Sequence, residues 1–186
     1  EVLDASGRTE DAARTRAMLA DVLIAENRLE EAGELIDHAR QSLSGEEVLA
    51  ELAARRGQVA FLSGDVSRAR EEAEIALAIA DPRGLSRVLA SAVQTKANAL
   101  AYEQRMTEAN ALMPLGLQIA LEADLTDQAL RGYFNMGEYK LIGGETQAAA
   151  TLITQGLALA RERGNRAWER DLLAQRVGVH AFTGEW

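Results

Sequence analysis

Two histidines and a scatter of carboxylates are the main groups in this chain that could do chemistry, and their spacing argues against it. His38 stands one turn after Glu34 and beside Asp37, while His180 stands alone near the C-terminal end. A zinc site on a helix needs a second histidine one turn away together with a third ligand, and neither has that neighbour. His38 is therefore expected at the exposed C-terminal end of a helix, and His180 at a packed or groove-facing position. The chain has no cysteine, which excludes disulfides and thiolate metal sites. Gly143-Gly144-Glu145-Thr146 is glycine-rich, but it lacks the lysine and the preceding strand of a phosphate loop, so it is read as a turn. The carboxylate pairs Glu30-Glu31 and Glu71-Glu72 fall on turns and outer helical faces, where nothing would raise a pKa for acid–base work. No nucleophile, base and orienting group come together. The expectation is a chain without enzymatic activity, cofactor or metal.

The elements that would position these groups are helices. Apolar residues recur at spacings of three and four with little alternation, the pattern of amphipathic helices. Breaks fall at Glu26-Asn27-Arg28, Ser44-Gly45, Ser63-Gly64-Asp65, Asp81-Pro82-Arg83-Gly84, Glu103-Gln104-Arg105, Gly143-Gly144-Glu145, Gly164-Asn165 and Thr183-Gly184. Together with a helix end near Ala123 they give nine helices of roughly 15 to 18 residues, joined by connections short enough to force antiparallel neighbours. Ser44 with Glu47 has the spacing of a capping box, Asp81-Pro82 that of a cap followed by proline in the first turn, and Gly164-Asn165 can close one helix and open the next. Pro114 falls inside a helix running from about Met106 to Ala123, where it removes one ladder hydrogen bond and is expected to produce a kink or an early helix start.

Small residues then return on a fixed ruler. Ala32, Ala69, Ala109 and Ala149 are separated by 37, 40 and 40 residues. Ala39, Ala76, Gly116 and Gly156 keep the same steps seven residues later, and Ala20, Gly57, Ala97 and Gly137 keep them twelve residues earlier. Three series on one rhythm make an internal repeat. A glycine inside a helix costs about 1 kcal/mol relative to alanine, so Gly57, Gly116, Gly137 and Gly156 need a packing reason. Close approach of two helix backbones supplies it, with Leu23, Ile36, Leu77, Leu100, Leu117 and Leu152 filling the space around the crossings.

At these positions the chain resembles the tetratricopeptide repeat (TPR), a helix–turn–helix unit of about 34 residues. The three small-residue series carry the resemblance, and Tyr133, four residues before Gly137, stands where the family often has a large aromatic. The unit here is longer, and the family's terminal proline is met only approximately, by Pro82. Units of about 40 residues resemble the helical arrays of large bacterial signalling proteins, such as transcriptional activators of the maltose-regulator type, multidomain ATPases and nucleotide cyclases. The resemblance implies an all-α solenoid of antiparallel helix pairs, residues 1–186 forming a single repeat domain of four pairs plus one further helix, and the whole an excerpt of a longer protein.

It also implies that the first helix of each pair lines a concave groove for a peptide, a partner domain or a small ligand. The residue after each small position of the first helix, with its neighbours one turn away, would face that groove. This selects Asp21, Gln58, Asn98 and Glu138, flanked by Arg14 and Ala17, Glu51 and Phe61, Gln94 and Tyr102, Arg131 and Phe134, and Ile142. Aromatic anchors beside amides suit an extended chain, because rings supply apolar area and amides pair with backbone. Some TPR domains clamp a terminal carboxylate with paired lysines and asparagines. Asn98 invites the comparison, but Lys96 falls on another helical face and only Arg14 and Arg131 could assist, so such a clamp is not expected.

A net charge of −9 without a basic cluster excludes direct binding of a nucleic-acid backbone by this segment. No apolar run of about 18 residues spans a membrane, and EVLDASGRTE lacks the form of a signal peptide, so a cytoplasmic location is expected. The arginine-rich composition, with lysine only at Lys96 and Lys140, points to a bacterial source. The expected function is a protein or peptide interaction scaffold, the TPR region of a bacterial transcriptional regulator or signalling protein. The alternatives are a small-ligand sensor controlling an adjacent effector domain, or an intramolecular spacer or oligomerisation module. Leu172, Leu173, Val177 and Phe182 would lack a cover in such an array, which predicts self-association through the C-terminal end.

Overall fold

The computed structural model describes residues 9–41 and 45–183. Among them are nine α-helices and no strand: α1 (Thr9–Ala25), α2 (Leu29–Arg40), α3 (Glu46–Leu62), α4 (Val66–Ala80), α5 (Ser86–Tyr102), α6 (Met106–Glu122), α7 (Thr126–Ile142), α8 (Thr146–Glu162) and α9 (Arg166–Thr183). The chain divides into two compact units, Glu1–Leu112 and Met113–Trp186. The division falls inside α6, one residue before Pro114, and α6 runs through the proline as one helix.

One hydrogen-bonding device makes nearly every connection. In the α1/α2 turn the N–H of Arg28 donates to the carbonyl of Leu23 and that of Asn27 to Ile24, the paired bonds of a Schellman motif. The same pair closes α3 through Asp65 and Gly64, α5 through Arg105 and Gln104, α6 through Leu125 and Asp124, α7 through Glu145 and Gly144, and α8 through Asn165 and Gly164. The residue at the bend has positive φ each time, from 53° at Asp124 to 83° at Gly64. These residues obey the ruler too: Asn27, Gly64, Gln104 and Gly144 end first helices, and Gly84, Asp124 and Gly164 precede the next ones.

The residue after the bend opens the following helix. The carbonyls of Arg28, Asp65, Arg105 and Glu145 accept from the N–H groups of Ala32, Ala69, Ala109 and Ala149 respectively. The first small-residue series is therefore locked four residues behind each turn. Asp65 adds a side-chain cap to the N–H of Arg68, and Asn165 one to the N–H of Trp168. Asp81-Pro82-Arg83 departs from expectation: it forms a separate 3₁₀ turn ended by Gly84, and α5 starts afterwards at Ser86. Gly45 precedes α3 without a side-chain cap, and Ser44 lies outside the described residues.

Every member of the three small-residue series is buried. Within the first unit α1 packs on α2 and α3, α3 on α2, α4 and α5, and α4 on α5; within the second, α7, α8 and α9 all touch one another. First helices thus meet first helices of the next pair. A Cβ on Gly57 would lie 3.2 Å from the carbonyl oxygen of Ala69, so α3 and α4 approach backbone to backbone there. A Cβ on Gly156 would lie 3.0 Å from Cβ of Tyr133 and 3.1 Å from Leu172, which places this glycine between α7 and α9.

The core of the first unit includes Ala13, Ala17, Ala20, Ile36, Val48 and Leu52, continued by Ala53, Ala73, Ala76 and Val88. That of the second gathers Leu130, Ile153, Leu157 and Leu172. Leu172 is thus fully enclosed and Leu173 packs on the same cluster, which corrects the expectation that both lack a cover. Val177 is 63% exposed. The Phe182 side chain lies outside the described residues.

Charged residues fasten the second helices of the first unit. Arg40 of α2 grips Glu72 of α4 at 2.7 and 2.8 Å, and Asp37 of α2 receives Arg56 of α3 at 3.0 Å and Arg68 of α4 at 3.2 Å. Glu72 is buried, and Arg68 approaches it only to 4.0 Å.

Candidate partner-binding site

In the first unit the proposed groove residues separate into three environments. Asp21 is engaged by Arg55, which donates to both its oxygens at 2.8 and 3.0 Å, and Glu51 lies 3.7 Å from the same guanidinium. Arg14 is exposed and meets Asp11 one turn earlier at 4.0 Å. Ala17 is buried in the core, not on a groove. Gln58 is half-buried on α3. Phe61 and Tyr102 meet edge to face with ring centroids 5.2 Å apart, Phe61 packed on the core and Tyr102 66% exposed. The geometry joins them as an aromatic pair bridging α3 and α5.

Gln94 and Asn98 do not face an open groove. They are 2% and 3% exposed, because α5 is enclosed from Ala92 to Ala101 except at Lys96. The repeat aligns them on one helical face but says nothing of what packs over it. The buried Oδ1 of Asn98 has no hydrogen-bond donor.

The second unit brings three of the four remaining residues to one place and leaves Arg131 apart. Phe134, Glu138 and Ile142 recur at helical spacing on α7 and, with Leu141, form one wall of a cavity of about 450 Å³. Asp171, Ala174, Gln175 and Gly178 of α9 form the other. Gln175 ties the walls together: its Nε2 donates to the main-chain carbonyl of Phe134 at 2.8 Å, across from one helix to the next. Its Oε1 is buried without a donor. The Phe134 ring rests against Trp168, centroids 5.9 Å apart.

Glu138 is exposed and has no ion pair or hydrogen-bond partner among the described residues; the wall beside it takes water from the charged form and raises its carboxyl above the usual carboxylate range. Asp171 is shared with Arg170 at 3.0 Å. Arg131, two turns before Glu138 on α7, is pushed down to about 10 by burial and stays charged at neutral pH; it is not part of the cavity wall.

Leu141 and the four residues of α9 were not among the expected site residues. A signal for the latter was present. Adding 40 to Arg131, Phe134, Asn135 and Glu138 gives Asp171, Ala174, Gln175 and Gly178, so the ruler carried into the fifth first helix names the second wall. Among the described residues no group of three potential ligands could hold a metal ion, and no helix is long and apolar enough to cross a membrane. His38 is exposed in the last turn of α2 and His180 is exposed on α9.

Helix pairs joined by the same turn, with contacts within each unit running from one first helix to the next, define an all-α repeat scaffold of the solenoid class. The particular repeat is TPR-like. The structure is similar to that of BtubC (BKLC) from P. vanneervenii, with a TM-score of 0.72 at 18% identity over 96% of this chain and 75% of that one. It is also similar to the nearly identical TPR-like repeats of a putative kinesin light chain from Podosopora anserina, with a TM-score of 0.59 at 19% identity over 94% and 97% of the two chains. A point variant of that repeat protein gives 0.58 at 19% identity over 95% and 98%. A scan against protein-family models and a search of the curated proteins each find no match.

Proposed function

We propose that this chain is a non-catalytic scaffold that holds a segment of a protein partner, and that the cavity between α7 and α9 is where the segment anchors. The observation that carries the reading is the meeting of Phe134, Glu138 and Ile142 with the α9 wall around about 450 Å³ of open apolar space. An apolar cleft with a few polar groups on its rim is the usual form of an anchoring pocket, and one buried side chain commonly supplies much of the energy of such a contact. The TPR-like fold supports the same reading, since its first helices present one face of the array. The units of about 40 residues and the arginine-rich composition support a place for it in a bacterial transcriptional regulator or signalling protein.

The test is occlusion. Ala174 is exposed on the α9 wall, so Ala174→Leu fills the cavity without entering the core. Peptides that raise the melting temperature of the parent chain should fail to raise that of the variant. Stabilisation that survives the substitution would place binding elsewhere. The cavity volume also lies within the range that houses small molecules, which favours a ligand-sensing role as the second reading. A metabolite screen against the same two proteins separates the two.

A further inference from the structure

We infer that the α7/α9 cavity selects a lysine or arginine side chain set among apolar residues of the partner segment. The inference rests on the scaffold reading above and adds the chemistry of the anchor. Its first ground is that the polar groups on the walls offer acceptors and almost no donors. Glu138 and Asp171 present carboxylates, Asp171 shared with Arg170, and the amide of Gln175 is committed within the fold, its nitrogen donating to Phe134 and its buried oxygen set against Gly137. A ligand that fits must bring hydrogens. An acidic or phosphorylated segment would face the carboxylate of Glu138, with no lysine or arginine on either wall.

The second ground is that Glu138, exposed on the cavity wall, has no partner among the described residues, while neighbouring acids are satisfied within the fold. Lys140, two residues away, reaches Glu145 at 2.9 Å, and Glu169 is held by Arg161 and Arg166. A carboxylate without a counter-ion beside an apolar wall loses part of its hydration, and a ligand cation at that point offsets the loss. The remaining walls, Phe134, Leu141, Ile142, Ala174 and Gly178, match the methylene stem of a long cationic side chain, which lies along apolar surface with its charged head at the rim. Charge complementarity thus commits the occupant to a basic, apolar protein segment.

The experiment uses a synthetic peptide library with one fixed lysine whose neighbours vary over apolar residues. Matched libraries are fixed at norleucine or glutamate, and all are acetylated, amidated and read by fluorescence anisotropy against the whole chain. The lysine library should bind about tenfold or more tightly than the norleucine library, the amount expected of one charge-assisted hydrogen bond, and the glutamate library most weakly. Glu138→Gln should abolish the preference for lysine. Equal binding of lysine and norleucine, or a lysine preference that survives Glu138→Gln, overturns the inference. If norleucine and lysine bind equally and Ala174→Leu removes both, the scaffold reading stands and the cation selectivity falls. If no library of any composition binds saturably, both fall.

Discussion

Gly57 and Gly178 occupy helix interiors in opposite surroundings, so one substitution at both isolates the packing on which the repeat depends. A Cβ on Gly178 meets nothing within 4 Å. Gly178→Ala should therefore realise the helix-propensity gain of about 1 kcal/mol in full. A Cβ on Gly57 lies 3.2 Å from the carbonyl oxygen of Ala69, 3.4 Å from the amide nitrogen of Ala73 and 3.4 Å from Cβ of Glu72. All three belong to the α4 backbone or its root, which cannot turn aside as a side-chain end can. Overpacking of roughly 1 to 3 kcal/mol then opposes the same gain, and Gly57→Ala should lose about 1 kcal/mol net. Gly137 falls between, since its near neighbours are Oε1 of Gln175 at 3.0 Å and Cγ1 of Ile153 at 3.1 Å, both able to shift.

For a chain of this length 1 kcal/mol moves the melting temperature by about 2–4 °C. Urea and thermal unfolding followed by circular dichroism should rank the alanine variants 178, 137, 57 in falling stability, with Gly57→Leu losing about 3 kcal/mol or more. An array can melt unit by unit, so the ranking is read from midpoints at unchanged denaturant slope. If Gly57→Ala stabilises as much as Gly178→Ala, α3 and α4 do not meet backbone to backbone and the account of the small-residue ruler is wrong.

The remaining predictions concern the turns, an ion pair and one carboxylate. Gln104 holds φ at 63°, which costs a side-chain-bearing residue roughly 1–2 kcal/mol. After the unfolded-state entropy of glycine is subtracted, Gln104→Gly should stabilise by about 0.5–1 kcal/mol in denaturant titration. Arg40→Met should destabilise by about 2–3 kcal/mol, because it leaves buried Glu72 with only the distant Arg68, and Arg40→Met/Glu72→Met should recover much of that loss in a double-mutant cycle. The raised pKa of Glu138 means that the unfolded chain ionises it first, so its contribution is fully present below the unfolded carboxyl value of about 4.3 and is lost as pH rises through the higher folded value. Glu138→Gln should therefore raise the melting temperature at neutral pH, and the gain should vanish below about pH 4.

Much of this architecture was legible because it repeats. Backbone approach at Gly57 and close side-chain packing on Gly156 demand a small residue at each crossing, so the ruler is written directly in residue type. The turn at Asp124 was harder to see. It has no glycine or proline, and its left-handed residue shows only when Gly84, Asp124 and Gly164 are aligned. Capping was read less well at Asp81-Pro82, where proline sits in a 3₁₀ turn of its own. The site was legible only in part, since helical periodicity fixes the direction of a side chain and not what lies opposite. Asp21 is taken by Arg55, Asn98 is sealed within the first unit, and Glu138 lines a cavity.

The most direct test of the central claim is a two-dimensional ¹H–¹⁵N spectrum of the chain titrated with the lysine-fixed peptide library. Shift changes centred on Phe134, Glu138, Leu141, Ile142, Gln175 and Gly178 are the predicted result. Changes confined to α8 or to the first unit, with those six amides unmoved at saturation, would contradict it.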